Sequence, residues 1–179
     1  MPTIMTHMIV PLSLGLALGK RRISGPIMAL GMGLAILPDA DVIGFKFGID
    51  YASQLGHRGA SHALAIAALV TVAITLLYRP ASQKAVSLFL FASMASHGLL
   101  DAFTNGGLGP ALFWPLSEAR YFAPFTPILV SPIGAGFFSG RGVAVILSEL
   151  QWIWCPAILI ALLGWSVRKR EATSCRSLN

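Results

Sequence analysis

Four histidines occur in the 179-residue chain, and two of them fall in one short stretch, His57-Arg58-Gly59-Ala60-Ser61-His62. The others are His7 and His97. Asp101 follows His97 by four residues, and Asp39 and Asp41 lie in Leu37-Pro38-Asp39-Ala40-Asp41. Imidazoles and carboxylates are the ligands that zinc and similar divalent ions take. An i,i+4 spacing puts His97 and Asp101 on one helix face, a turn apart, within reach of one ion or of two adjacent ions. Alone, such a pair is more often a hydrogen bond inside a bundle. Five further candidate ligands reverse that balance.

Asp39 and Asp41 would project to the same side of an extended backbone, although a plain Pro-Asp turn also accounts for them. His57 and His62 are five apart, which suits a loop-to-helix junction better than one helical face. Arg58 between them is a fork of donors that fits a phosphate or carboxylate, with an outward ion pair to Asp50 as the alternative. Gly59 allows a tight turn, and Ser61 is a plausible N-cap for a helix from His62 to Tyr78. Glu149 lies roughly 10 Å inside an apolar run, where an ionisable group usually faces a polar interior. It is a candidate ligand, general base, or partner of Arg141 or Arg58. Arg58 and Glu149 are the expected catalytic side chains. No Ser-His-Asp arrangement, Walker loop or dinucleotide fingerprint has the context it needs. Cys155 and Cys175 have no metal-ligand or redox spacing.

The elements that must position these residues are apolar. Hydrophobic residues make up 55% of the chain and charged residues 11%, against about 25% charged in soluble domains. Mean hydropathy is +0.74. The expectation is an all-α integral membrane bundle, a single domain with about five spans near 4–19, 23–38, 62–78, 85–103 and 143–167 and a cytoplasmic tail over 168–179. The second run is short and Pro38 stops it, so Asp39 and Asp41 would sit recessed between helices. Pro11 interrupts the first span, either as a kink or as the start of its regular part. Leu108 to Gly140 carries Pro110, Pro115, Pro124, Pro127 and Pro132 together with Phe113, Trp114, Tyr121, Phe122 and Phe125. It reads as an extracytoplasmic segment lying on the membrane interface, or as a re-entrant one.

The net charge of +6 does not point to nucleic acid, because most basic residues flank apolar runs. Placing Lys20, Arg21, Arg22, Arg79, Lys84, Arg168, Lys169, Arg170 and Arg176 in the cytoplasm satisfies the positive-inside rule. The N-terminus is then outside and the C-terminus inside. All four histidines, with Asp39, Asp41 and Asp101, reach one outer layer, although none was used to set the orientation.

The motifs Met5-Thr6-His7, Leu37-Pro38-Asp39-Ala40-Asp41, His57-Arg58-Gly59-Ala60-Ser61-His62 and His97-Gly98-Leu99-Leu100-Asp101 resemble those of the YdjM-like family of bacterial inner-membrane proteins. The resemblance implies a metal-dependent hydrolase of the inner membrane. That family is distantly similar to the zinc-dependent phospholipase C and P1 nuclease group, whose His-x-x-x-Asp helix element His97 to Asp101 matches. Their further His-x-x-x-Glu element has no counterpart, since no histidine follows His97, and this implies one or two ions rather than three.

These residues and the resemblance together lead to the expectation of a membrane-bound, zinc-type hydrolase acting at the extracytoplasmic side, on a phosphoester or lipid phosphate. Its ligands are Asp39, Asp41, His62, His97 and Asp101 first, with His7 and His57 next, and Arg58 steadies the anionic substrate. Membrane lipids are its expected partners. Rival readings are a divalent metal carrier or channel, and a non-catalytic membrane scaffold with a structural metal.

Overall fold

The computed structural model describes residues 1–80, 82–132 and 134–177, and its regular structure is helical. α1 spans Ile4–Leu18 with Pro11 inside it, so the helix runs through the proline rather than starting there. It stops at Gly19, whose φ of 81° few other residues adopt at low cost. α2 spans Gly25–Ile36, opened by Pro26 in its first turn, where the missing N–H costs nothing. The α-helix ends just before Pro38, as expected, but the chain stays helical, tightening into a 3-10 helix, Leu37–Phe47, which Gly48 ends in a left-handed conformation. Gly25–Phe47 is together long and apolar enough to cross a membrane.

A loop of turns leads to a short 3-10 turn, Ala60–His62. α3 follows over Leu64–Tyr78 and ends at Arg79, also left-handed, before Pro80. α4, Gln83–Ala102, packs against α1, α2 and α3 and is the centre of the bundle. The last span begins with α5, Gly140–Glu149, passes through a π-helical turn at Leu150–Trp154, and continues as α6, Cys155–Ser177. α6 packs on α1, close enough that a Cβ added at Gly164 would lie 2.6 Å from the Ala17 Cα.

Between α4 and α5 the proline-rich segment folds back over the end of the bundle. Backbone hydrogen bonds tie it there: Ala111 donates to Arg58, Leu64 to Leu112, Ala123 to Ala102 and Asn105 to Ile128. Pro110, Ala111 and Leu112 are buried, whereas Phe113, Tyr121, Phe122 and Phe125 stay exposed. The segment is thus a fixed cover on the His-Arg-Gly stretch.

Ile23, Ile27, Leu34, Ala67, Val86, Phe89, Leu90, Met94 and Ala95 form the apolar core. Gly31 lets Phe89 and Ser93 of α4 approach α2, since a Cβ there would meet the Phe89 ring at 2.5 Å. The outer faces are apolar too: Leu69, Leu76, Leu77, Leu88, Leu159, Leu162, Leu163 and Trp165 are all more than half exposed. Apolar side chains both inside and outside a helix bundle are what a lipid surround selects.

Candidate metal centre

The helices bring His62, His97, Asp39 and Asp101 to one point. His62 arrives from the 3-10 turn before α3, His97 and Asp101 from one face of α4, and Asp39 from the 3-10 extension of α2. Their ligand atoms all lie within 4.8 Å of one another. The two Nε2 atoms are 3.1 Å apart. His97 Nε2 is 3.2 Å from Asp39 Oδ1 and 4.0 Å from Asp101 Oδ2. His62 Nε2 is 3.8 Å and 3.4 Å from the same two oxygens. Four ligands at about 2.0 Å around a tetrahedral zinc stand roughly 3.3 Å from each other, and these separations scatter about that edge.

The outer hydrogen bonds decide what the inner atoms present. His97 Nδ1 lies 2.6 Å from the Ala35 carbonyl, which only accepts, so Nδ1 carries the proton and Nε2 offers a lone pair. His62 Nδ1 lies 2.9 Å from Ser61 Oγ and 3.3 Å from Asp41 Oδ2. Ser61 already donates to Asp41 Oδ2 at 2.6 Å, so its oxygen receives the His62 Nδ1 proton. With both rings neutral, two Nε2 lone pairs therefore face each other at hydrogen-bond distance. Beside them both Asp39 oxygens are buried without a hydrogen-bond partner, and the buried Asp101 Oδ2 is paired with the Arg58 guanidinium. Such an array is repulsive on its own and is relieved by a cation. Burial of the His62 ring opposes its protonation, yet Asp101 and Asp41 outweigh burial and raise its proton affinity above the ordinary imidazole value.

Asp39 and Asp41 do not share a side, as extended backbone would have required. Residues two apart in a 3-10 helix diverge by roughly 120°, and the pair straddles His62. Asp41 is saturated: His57 Nδ1 stands 2.7 Å from one oxygen, and Ser61 Oγ and the Arg58 backbone N–H donate to the other. Asp41, His57 and His62 make a second possible ligand group, but every oxygen of Asp41 is already engaged. Ser61 does not cap α3; Ala63 occupies that position.

Arg58 is placed differently from expectation. It is 1% exposed, with φ of 65°, and pairs with neither Asp50 nor solvent. Nε lies 3.0 Å from Asp101 Oδ2, while Nη2 donates to Asp101 Oδ1 and Thr104 Oγ1. Nη1 donates to the carbonyls of Gly106 and Leu108. All its donors point into the protein, so no fork is left for a substrate. What the fork holds is Asp101.

His7 is fully buried, and its ring stacks on His97 at 3.8 Å with both nitrogens unpartnered. It adjoins the quartet without belonging to it. Glu149 lies elsewhere. It accepts the Thr3 N–H and the hydroxyls of Thr3 and Thr6, and Trp154 Nε1 donates to that same Thr6 hydroxyl. It ties the last span to the start of α1, and among the described residues it contacts neither Arg141 nor Arg58.

Four contributors had no sequence signal. Thr104 and the Gly106 and Leu108 carbonyls complete Arg58. Arg120 clasps the carbonyls of Ala52, Ser53 and His57. A buried arginine demands acceptors, but nothing in the chain order says which.

The model of a family described as YdjM inner membrane protein matches residues 1–173. Inner membrane protein YbcI of Escherichia coli (strain K12) is 41% identical over 173 residues, covering 94% of this chain and 100% of that protein. No solved structure matches.

Proposed function

The chain belongs to the YdjM inner membrane protein family, and from its buried histidine–carboxylate quartet we propose a membrane-bound, metal-dependent hydrolase. Asp39, His62, His97 and Asp101 hold one divalent ion, zinc first by ligand type. The observation that carries this is the pair of Nε2 atoms 3.1 Å apart, beside a buried Asp39 carboxylate that has no hydrogen-bond partner. When bound, such an ion supplies Lewis acidity and lowers the pKa of a water toward ~7. Asp41 and the Ala35 carbonyl fix the imidazole tautomers, and Arg58 fixes Asp101.

The substrate is a phosphoester, with a lipid phosphate preferred. Asp39 is the most exposed of the four, at 9% of its side chain, although both of its oxygens are buried. The 3-10 helix that carries it exposes Val42, Ile43, Phe45 and Phe47, so approach to the ion runs past an apolar element. The distribution of basic residues supports a reading with this end of the bundle outside the cytoplasm, the N-terminus outside and the tail inside. A carrier would need ion ligands along the whole span, whereas deeper in the bundle the buried polar side chains are the hydroxyls of Ser13, Thr71, Thr75 and Ser93, set among Leu34, Phe89, Leu90, Ile27 and Ile23.

One feature favours a structural ion instead: four protein ligands close a tetrahedron, and catalytic zinc usually keeps a position open. Metal analysis with a phosphoester and lipid-phosphate panel on the same preparation separates the two. Hydrolysis that disappears with the metal and returns on its addition supports the enzyme. A tightly bound ion with no hydrolysis assigns it to structure.

A further inference from the structure

The end of α1 remote from His7 carries a second constellation. Twelve residues after His7, at about 1.5 Å each, Gly19 lies roughly 18 Å away along the helix axis. There Lys20, Arg21 and Arg22 form a turn closed by hydrogen bonds from Arg22 and Ile23 N–H to the Gly19 carbonyl. Arg168 of α6 joins them, its Nη1 donating to the Ala17 carbonyl. Its guanidinium lies over Gly19, where an added Cβ would meet Nε at 2.7 Å. Gly164 draws α6 in against Ala17, as described above. The result is a cavity of about 700 Å³ lined by Lys20, Arg21, Arg22 and Arg168, with Glu171 as its acid. Ala17, Leu18, Gly164 and Val167 supply an apolar wall.

We propose that this cavity holds the phosphate headgroup of an anionic phospholipid, its acyl chains lying along the α1–α6 face. Four cations around one acid leave a net excess of three positive charges in a single concavity, so charge favours an anion. The apolar wall continues along α6 through Val167, Leu163 and Ile160, which share one side of the helix and are each about half exposed, and this suits a lipid rather than a free ion. Positive residues at helix ends also set orientation, but that role does not require four of them in one cavity with a guanidinium fixed over a glycine. Basic pockets between membrane helices are a known way to bind lipid headgroups. The site lies at the opposite end from the quartet and does not rest on hydrolysis.

The test is titration of the purified full chain, in detergent, with dioleoyl phosphatidylglycerol, with dioleoyl phosphatidylcholine and with inorganic phosphate. Native mass spectrometry counts the bound lipid. The Arg21→Ala/Arg22→Ala variant is compared with Lys169→Ala/Arg170→Ala, which removes equal charge from outside the cavity. Expected are one phosphatidylglycerol per chain in the wild type and in the Lys169/Arg170 variant, with roughly tenfold or weaker binding in the Arg21/Arg22 variant. Equal binding of phosphatidylcholine, or equal loss in both variants, would show diffuse charge and overturn the site. Displacement of the lipid by equimolar phosphate would overturn the lipid reading in favour of a free anion. Should the Arg21/Arg22 variant fail to fold, Arg168→Lys decides in its place. It keeps the charge but not the planar fork, so it is expected to weaken phosphatidylglycerol binding, and unchanged binding overturns the proposal.

Discussion

Two carboxylate neighbourhoods flank His62, and they differ in one respect. On the Nε2 side, Asp39 has no hydrogen-bond partner, and Asp101 is paired with Arg58. On the Nδ1 side, Asp41 is surrounded by His57, Ser61 and the Arg58 backbone. The same residue type therefore does two jobs. The unpartnered Asp39 oxygens suit the proposed cation, whereas the saturated Asp41 orients the imidazole beside it. The comparison also ranks the histidines, for His57 serves Asp41 while His97 faces the proposed ion site.

The largest effect that could break this comparison is expected from the Nε2 side. Changing His97 and Asp101 together to Ala should abolish metal binding in purified protein, measured by elemental analysis. Retention of the metal would remove the quartet from consideration. Asp101→Asn alone should also destabilise the fold by about 3–5 kcal/mol, because it leaves the buried Arg58 charge without its partner. Thermal unfolding in detergent reads this directly.

Arg58→Ala should be intermediate. It frees Asp101 to move and leaves Thr104 and the Gly106 and Leu108 carbonyls unpaired, so metal affinity should fall about 10–100-fold. A substrate clamp would instead leave metal content intact and impair only hydrolysis. Competition with a chelator on the Arg58→Ala protein tells the two apart.

On the Nδ1 side, Asp41→Asn should weaken metal binding by about tenfold, through loss of His62 orientation, without removing a ligand. Loss as complete as in the His97/Asp101 double variant would make Asp41 a ligand after all. Acid should act through the same ring. Because Asp101 and Asp41 raise the proton affinity of His62, a proton competes with the metal from a higher pH than for a free imidazole. Affinity should be greatest above that pH and fall as pH falls through it, which a chelator titration between about pH 5 and 8 can follow.

The smallest effect on the metal is expected far from both sides. Glu149→Gln keeps the shape but weakens the contacts to Thr3 and Thr6, costing about 1–3 kcal/mol of stability. Metal content should stay near that of the wild type, and a large loss would draw Glu149 into the site.

Composition and hydropathy determined that this chain is an all-helical membrane protein, because a lipid surround leaves apolar residues on both sides of every helix. The i,i+4 spacing determined that His97 and Asp101 share a face, since helical geometry is local. Sequence also marked His62 and Asp39 as ligand candidates by residue type. It could not separate Asp39 from Asp41, because their divergence depends on the chain tightening into a 3-10 helix after Pro38. Nor could it tell Arg58 the clamp from Arg58 the brace. The acceptors that use up its donors come from Asp101, Thr104, Gly106 and Leu108, more than forty residues along the chain. Whether a polar atom is satisfied depends on what folding brings beside it, and that the tertiary structure alone decided.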